Sequence, residues 1–223
     1  DGRMIFPDQF IPLFERNGFC ARLDLYMAEQ ACRRIRSWMD RGIAPIPLSV
    51  NQSKRLFFEP DYVQSLTDLA RAYGIPPRFI TLEILEGLAL ENVDALNEKI
   101  GQLQAVGFRI SLDDFGSGFS SLNTLGKLRI DELKLDRGFL LGVSSREQDR
   151  VRLILKEIVQ IARQLSISTV AEGVETAEDE RLVREVGCDL GQGYLYGRPV
   201  SADAFDAAFM RSPPPRRLEG NGA

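Results

Sequence analysis

The sequence predicts an α/β domain, a TIM-like (β/α)8 barrel that lacks its first strand. Three observations carry this. Short β-rich segments alternate with longer amphipathic ones along the chain, the pattern of parallel strands joined by helical crossovers. An acid, amide or lysine recurs at or near the C-terminal end of nearly every strand segment: Asn51, Glu83, Asp113 with Asp114, Lys134, Glu172 and Gln192. In a barrel those ends gather at one mouth, where rigid strands aim side chains at one point. Finally, 44% hydrophobic content over 223 residues is enough to fill one large core.

Taken in order, residues 1–12 read as a loop entering a helix, as though an earlier strand were missing. Residues 23–41 place Leu25, Ala28, Ala31, Cys32, Ile35 and Met39 at helical spacing, and Gly42 closes the segment. Helical periods return at 63–73, 93–106, 150–165 and 178–186, with Gly74, Gly107 and Gly187 as terminators of three of them. Strands are expected at 45–51, 79–85, 108–113, 132–135, 168–172 and 189–194. A closed barrel wants about eight strands, and a further weak one is expected near the C-terminal end. One domain over 1–211 is the economical reading, with the Pro-rich and then Gly-rich residues 212–223 as a disordered tail.

Composition excludes several chemistries. There is no histidine, which removes Ser-His-Asp and Cys-His mechanisms and the commonest zinc and copper sites. Hydrolysis would have to rely on carboxylates, lysine or hard metal ions. Cys20, Cys32 and Cys188 are odd in number and widely spaced, which fits reduced thiols and a cytoplasmic location better than a disulfide framework. No stretch approaches the roughly 20 apolar residues of a membrane-spanning helix. The net charge of −4 comes without a long basic run, against a nucleic-acid polymer as partner. A small anion remains compatible where metals reverse the local sign.

Each mouth residue has a structural alternative. Asp113 and Asp114 precede Phe-Gly-Ser-Gly and would serve equally to cap a turn. Of Glu83 and Glu86, one fits a solvated strand end. Lys134 lies between Leu133 and Leu135 and is expected to point into the barrel, where an unpaired ammonium is costly and acidic partners would resolve it. Glu172 leads into a glycine turn, and Glu175 suits the first turn of the following helix. Asn51 fits an Asx turn and Gln192 a backbone contact, yet both are oxygen donors. Crowded carboxylates repel one another and raise their own pKa values unless cations neutralise them. Oxygen-only donors favour Mg²⁺, Mn²⁺ or Ca²⁺, and two such ions together clamp the oxygens of a phosphoryl displacement.

Ordered motifs then add a resemblance. Ser-Val-Asn at 49–51, Leu-Glu-Ile-Leu-Glu at 82–86, Asp-Asp-Phe-Gly-Ser-Gly-Phe-Ser-Ser-Leu at 113–122, Leu-Lys-Leu-Asp at 133–136, Val-Ala-Glu-Gly-Val-Glu-Thr at 170–176 and Gly-Gln-Gly-Tyr-Leu at 191–195 stand in sequence. With them the chain resembles the EAL-type cyclic-di-GMP phosphodiesterases over nearly its whole length. The resemblance implies a metal-dependent hydrolase that opens cyclic-di-GMP to linear 5′-pGpG with two Mg²⁺ or Mn²⁺ ions, Ca²⁺ inhibiting or substituting. It implies metal contacts from Asn51, Glu83, Asp113, Asp114 and Glu172, and catalytic roles for Lys134, Glu172 and Gln192. Phe115, Gly116, Ser117 and Gly118 belong to a loop supported by Glu86, beside an expected homodimer interface, and Asp136 and Glu175 are implied as substrate contacts. An upstream sensor or GGDEF domain, with membrane tethering through it, is compatible with the family.

Departures accompany the match. The family's Glu-Ala-Leu segment and a substrate-contacting arginine are expected shortly before Asp1, so the domain reads as N-terminally truncated. Leu85 and Gly87 replace the usual threonine and serine around Glu86, and Ser117 and Phe119 replace threonine and tyrosine in the loop. The alternative reading is a catalytically silent receptor for cyclic-di-GMP or for a protein partner.

Overall fold

Strands such as Ile80–Leu85, apolar on both sides of Glu83, can bury only as parallel strands covered by helices. A computed structural model of the chain describes residue 5 and residues 7–89, 92–117, 122–140 and 145–210. In it six strands form one sheet in chain order, every neighbouring pair parallel. Helices α1 (Pro7–Asn17) and α2 (Cys20–Asp40) precede β1 (Leu48–Gln52); α3 (Lys54–Phe57) and α4 (Tyr62–Ala72) lead to β2 (Ile80–Leu85); α5 (Glu86–Ala89) and α6 (Val93–Val106) lead to β3 (Arg109–Phe115). Then come α7 (Leu122–Leu125), β4 (Glu132–Leu135), α8 (Ser145–Gln164), β5 (Ser168–Ala171), α9 (Ala177–Val186), β6 (Leu190–Gly191) and α10 (Ala202–Phe209). This is the expected α/β architecture, an arc of the TIM-like barrel with six strands.

All six expected strands are present, the last shortened to Leu190–Gly191, and no further strand stands near the C-terminal end among the described residues. Beyond Gly191 the chain turns, Gly193 O accepting from Tyr196 N at 3.1 Å, while Gly193 lies so close to the Val174 backbone that a Cβ would not fit. Residues 212–223 and Gly118 lie outside the described residues.

Of the apolar stripe read in α2, Ala28, Ala31, Cys32 and Ile35 are buried and Leu25 and Met39 pack half-buried against the core, with Trp38 buried beside them. The Trp38 indole donates to Asp206 of α10 at 2.7 Å, and Arg34 and Arg41 close on the same carboxylate, which ties the last helix to the second. Gly42, Gly74, Gly107 and Gly187 all end helices at positive φ, as read. The thiols of Cys20, Cys32 and Cys188 are buried and unpaired. Burial pushes Cys32 up to about 11 and Cys188 up to about 12, so both are neutral core side chains. No described helix is long and apolar enough to cross a membrane.

At the N-terminal ends of the strands acids are structural. Asp131 accepts from Ile110 N at 2.8 Å and Asp189 from Thr169 N at 2.8 Å, each satisfying the neighbouring strand's first groups. At the opposite ends the acids do something else.

Candidate active site

Lys134 on β4 is 5% exposed, and a buried ammonium must find anionic partners. It finds three, each from a different strand: Glu172 Oε1 at 2.7 Å, Asp113 Oδ1 at 2.9 Å and Glu83 Oε1 at 3.1 Å. Strand alternation explains the convergence, because Glu83 and Lys134 are flanked on both sides by buried aliphatic residues that face the helices. Glu172 stands one residue beyond β5, held in the ladder by its N–H to Leu135 O at 3.0 Å.

Asp113 and Asp114 are consecutive, and in a regular strand they would point to opposite faces. The β3–β4 register shifts between Leu112 and Phe115, and Asp114 takes φ 59°, a left-handed conformation that Asp tolerates better than most residues. That irregularity returns both carboxylates to one side. Oxygens of Asp113, Asp114 and Glu172 lie within 4.8 Å of one another.

The crowding shifts the charges of the cluster. Burial raises the pKa of Glu83 and of Glu172, with Lys134 pulling both the other way and Asp113 adding repulsion. Asp114 is raised by burial, then by the charges of Asp113 and Asp136. Burial works against the Lys134 charge, yet Glu83, Glu172 and Asp113 together outweigh it and its pKa rises. The lysine is therefore a fixed cation among acids that one positive charge leaves under-neutralised. An oxygen-only donor set that gains from added positive charge fits a divalent cation of the Mg²⁺ or Mn²⁺ kind.

The remaining expected residues are placed as follows. Asn51 stands opposite Glu83 in the β1–β2 register. Glu86 is buried at the start of α5, and Phe115 is buried at the end of β3. Gly116 adopts φ 100°, and Ser117 N donates to Asp114 O at 3.1 Å. Gln192 has its backbone in the ladder, donating to Ala171 O at 2.8 Å, and an exposed side chain. Asp136 caps the 3-10 turn Arg137–Phe139 by accepting from Gly138 N at 2.8 Å. Glu175 is exposed, its N–H bound to Asp179 in the capping box of α9. At Gly87 an added Cβ would meet nothing within 4 Å, so no steric need selects glycine there.

Two supports escaped the sequence reading. Ser49 hydrogen-bonds Glu83, and its place two residues before Asn51, on the same face of β1, was the available signal. The turn Arg137–Phe139 packs against both acid-bearing loops, and nothing in its sequence announces this.

The geometry and the comparisons agree. The family model described as EAL domain matches residues 1–199. The chain belongs to the EAL domain family. The EAL chain is 37% identical over 205 residues to the bifunctional diguanylate cyclase/cyclic di-GMP phosphodiesterase MucR of Pseudomonas aeruginosa, covering 92% of this chain and 30% of that protein. It is 33% identical to the cyclic di-GMP phosphodiesterase NbdA of the same organism, over 96% of this chain and 28% of that one. It thus spans about a third or less of the length of these curated relatives. Among solved structures, the MucR phosphodiesterase in complex with c-di-GMP superposes with a TM-score of 0.83 at 36% identity, over 92% of this EAL chain and 82% of that one. The Klebsiella pneumoniae BlrP1 complex with manganese and cyclic-di-GMP does so at 0.69 and 29% identity, over 80% and 45%.

Proposed function

We propose that this EAL domain is a metal-dependent phosphodiesterase that hydrolyses cyclic-di-GMP to linear 5′-pGpG. The observation that carries the reading is the contact of Lys134 with Glu83, Asp113 and Glu172, beside the oxygen cluster of Asp113, Asp114 and Glu172. Asn51, Glu83, Asp113, Asp114 and Glu172 would hold two Mg²⁺ or Mn²⁺ ions. When bound, such ions acidify the attacking water and neutralise the phosphodiester charge.

The chain's own groups supply the rest. Lys134 is kept charged and fixed by its acids, so it meets developing phosphate charge without reorganising, which is the cheapest form of electrostatic stabilisation. Glu172 sits at the mouth with a pKa raised by burial above the ordinary carboxylate value, which makes it a better proton acceptor than a free carboxylate. Gln192, at the end of the neighbouring strand, would orient that water. Solved relatives bound to c-di-GMP or to manganese with cyclic-di-GMP support this ligand and metal class for the chain.

Product analysis tests the reading. Cyclic-di-GMP incubated with the protein and Mg²⁺ or Mn²⁺ should yield pGpG and stop at that dinucleotide. Cyclic-di-GMP that binds and remains cyclic would mean a receptor.

A further inference from the structure

The short turn Arg137–Phe139 follows β4 directly, three residues after Lys134, and it touches the loops on both sides of that strand. On one side is Gly116, at φ 100° and two residues beyond Asp114. A Cβ added there would collide with Cε2 and Cζ of the Phe139 ring. On the other side is Gly173, at φ 70° and directly after Glu172, where a Cβ would collide with Cβ of Arg137. The turn itself is fixed: Asp136 N donates to Phe115 O at 3.0 Å, and Asp136 Oδ1 accepts from Gly138 N at 2.8 Å. Phe139 also packs against the hydrophobic core.

We infer that the Arg137–Phe139 turn is a positioning wedge, seated on Gly116 and Gly173, that sets the separation of the Asp113–Asp114 turn from Glu172. Close approach is the reason for both glycines, since each takes a left-handed φ and leaves no space for a side chain. Lys134 already ties Asp113 and Glu172 to β4 at 2.9 and 2.7 Å, and the wedge adds the contact that fixes the turn beyond Asp114 and the glycine beyond Glu172, so its displacement spreads the oxygens. Metal affinity is sensitive to such support: removal of groups behind the ligands costs about 10–100-fold. The inference rests on the metal-site reading above.

Mn²⁺ titration by calorimetry tests it on the wild type, F139L and G173A, each checked for its melting temperature. F139L keeps apolar bulk against the core while withdrawing the ring from Gly116; G173A intrudes from the other side without touching the core. Each folded variant should bind Mn²⁺ about tenfold or more weakly. A variant that melts like the wild type and binds Mn²⁺ as tightly overturns the wedge, and G173A decides the matter alone if F139L does not fold. A wild type that takes up no Mn²⁺ removes the metal reading and the inference with it, a failure distinct from unchanged affinity in the variants.

Discussion

Lys134 Nζ lies 2.7 Å from Glu172 Oε1, a contact that links the buried cation of β4 to the acid just beyond the end of β5. The same ammonium reaches back across β3 to Glu83 on β2. One side chain therefore joins four strands at the barrel mouth.

Replacing that cation leaves three acids facing one another. K134M should cost about 3–5 kcal/mol of stability at neutral pH, the usual effect of removing one partner from a buried charged group. Turnover of cyclic-di-GMP should fall by two orders of magnitude or more. Denaturant titration beside a turnover assay checks both.

At Asp114 charge can be separated from backbone. The residue takes φ 59°, which asparagine also tolerates, so D114N should keep the β3 irregularity and the melting temperature while losing a metal-binding charge. Mn²⁺ affinity and turnover should each drop by roughly 100-fold. Unchanged turnover would remove Asp114 from the mechanism.

The raised pKa values of Glu83, Glu172 and Asp114 fix a pH dependence. Protons compete with a cation for these oxygens, and a raised pKa keeps protons bound to higher pH. Mn²⁺ affinity should therefore begin to fall as pH drops while still above the ordinary glutamate value of 4.5. Calorimetric titration at stepped pH reads this.

Asp206 carries a shift of the opposite sign, read in stability. Burial opposes its charge, but the hydrogen bonds from Trp38 and Arg41 and the charge of Arg34 outweigh that and hold its pKa below the ordinary 3.8. A depressed carboxylate contributes stability above its unfolded pKa and loses it as pH falls through the folded value. D206N should melt several degrees lower than the wild type at pH 7, and the gap should narrow below about pH 4. Parallel melting curves across that range are the check.

Much of this was legible in the sequence because local rules and tertiary demands coincide. Strands at Glu83 and Lys134 alternate polar with buried aliphatic residues, so both strands and, at Lys134, the inward direction of the charge can be read directly. Gly107 and Gly187 mark helix ends because their left-handed φ excludes most other residues. Helix α10 was not read as an element, since its anchoring to α2 through Asp206 is a contact over 168 residues. The paired orientation of Asp113 and Asp114 was equally hidden: it depends on a register shift against β4, which no local pattern encodes. Contacts made by Phe139 and Arg137 belong to the same class, because steric fit between loops leaves only glycines as its trace.

The most direct test of the central claim is a turnover assay of the protein with cyclic-di-GMP in Mn²⁺, in Mg²⁺ and in a chelator, with D114N alongside. The account predicts pGpG in the presence of either metal, none with the chelator and next to none with D114N. Retention of intact cyclic-di-GMP by a metal-loaded wild-type protein, or hydrolysis that the chelator leaves unchanged, would contradict it.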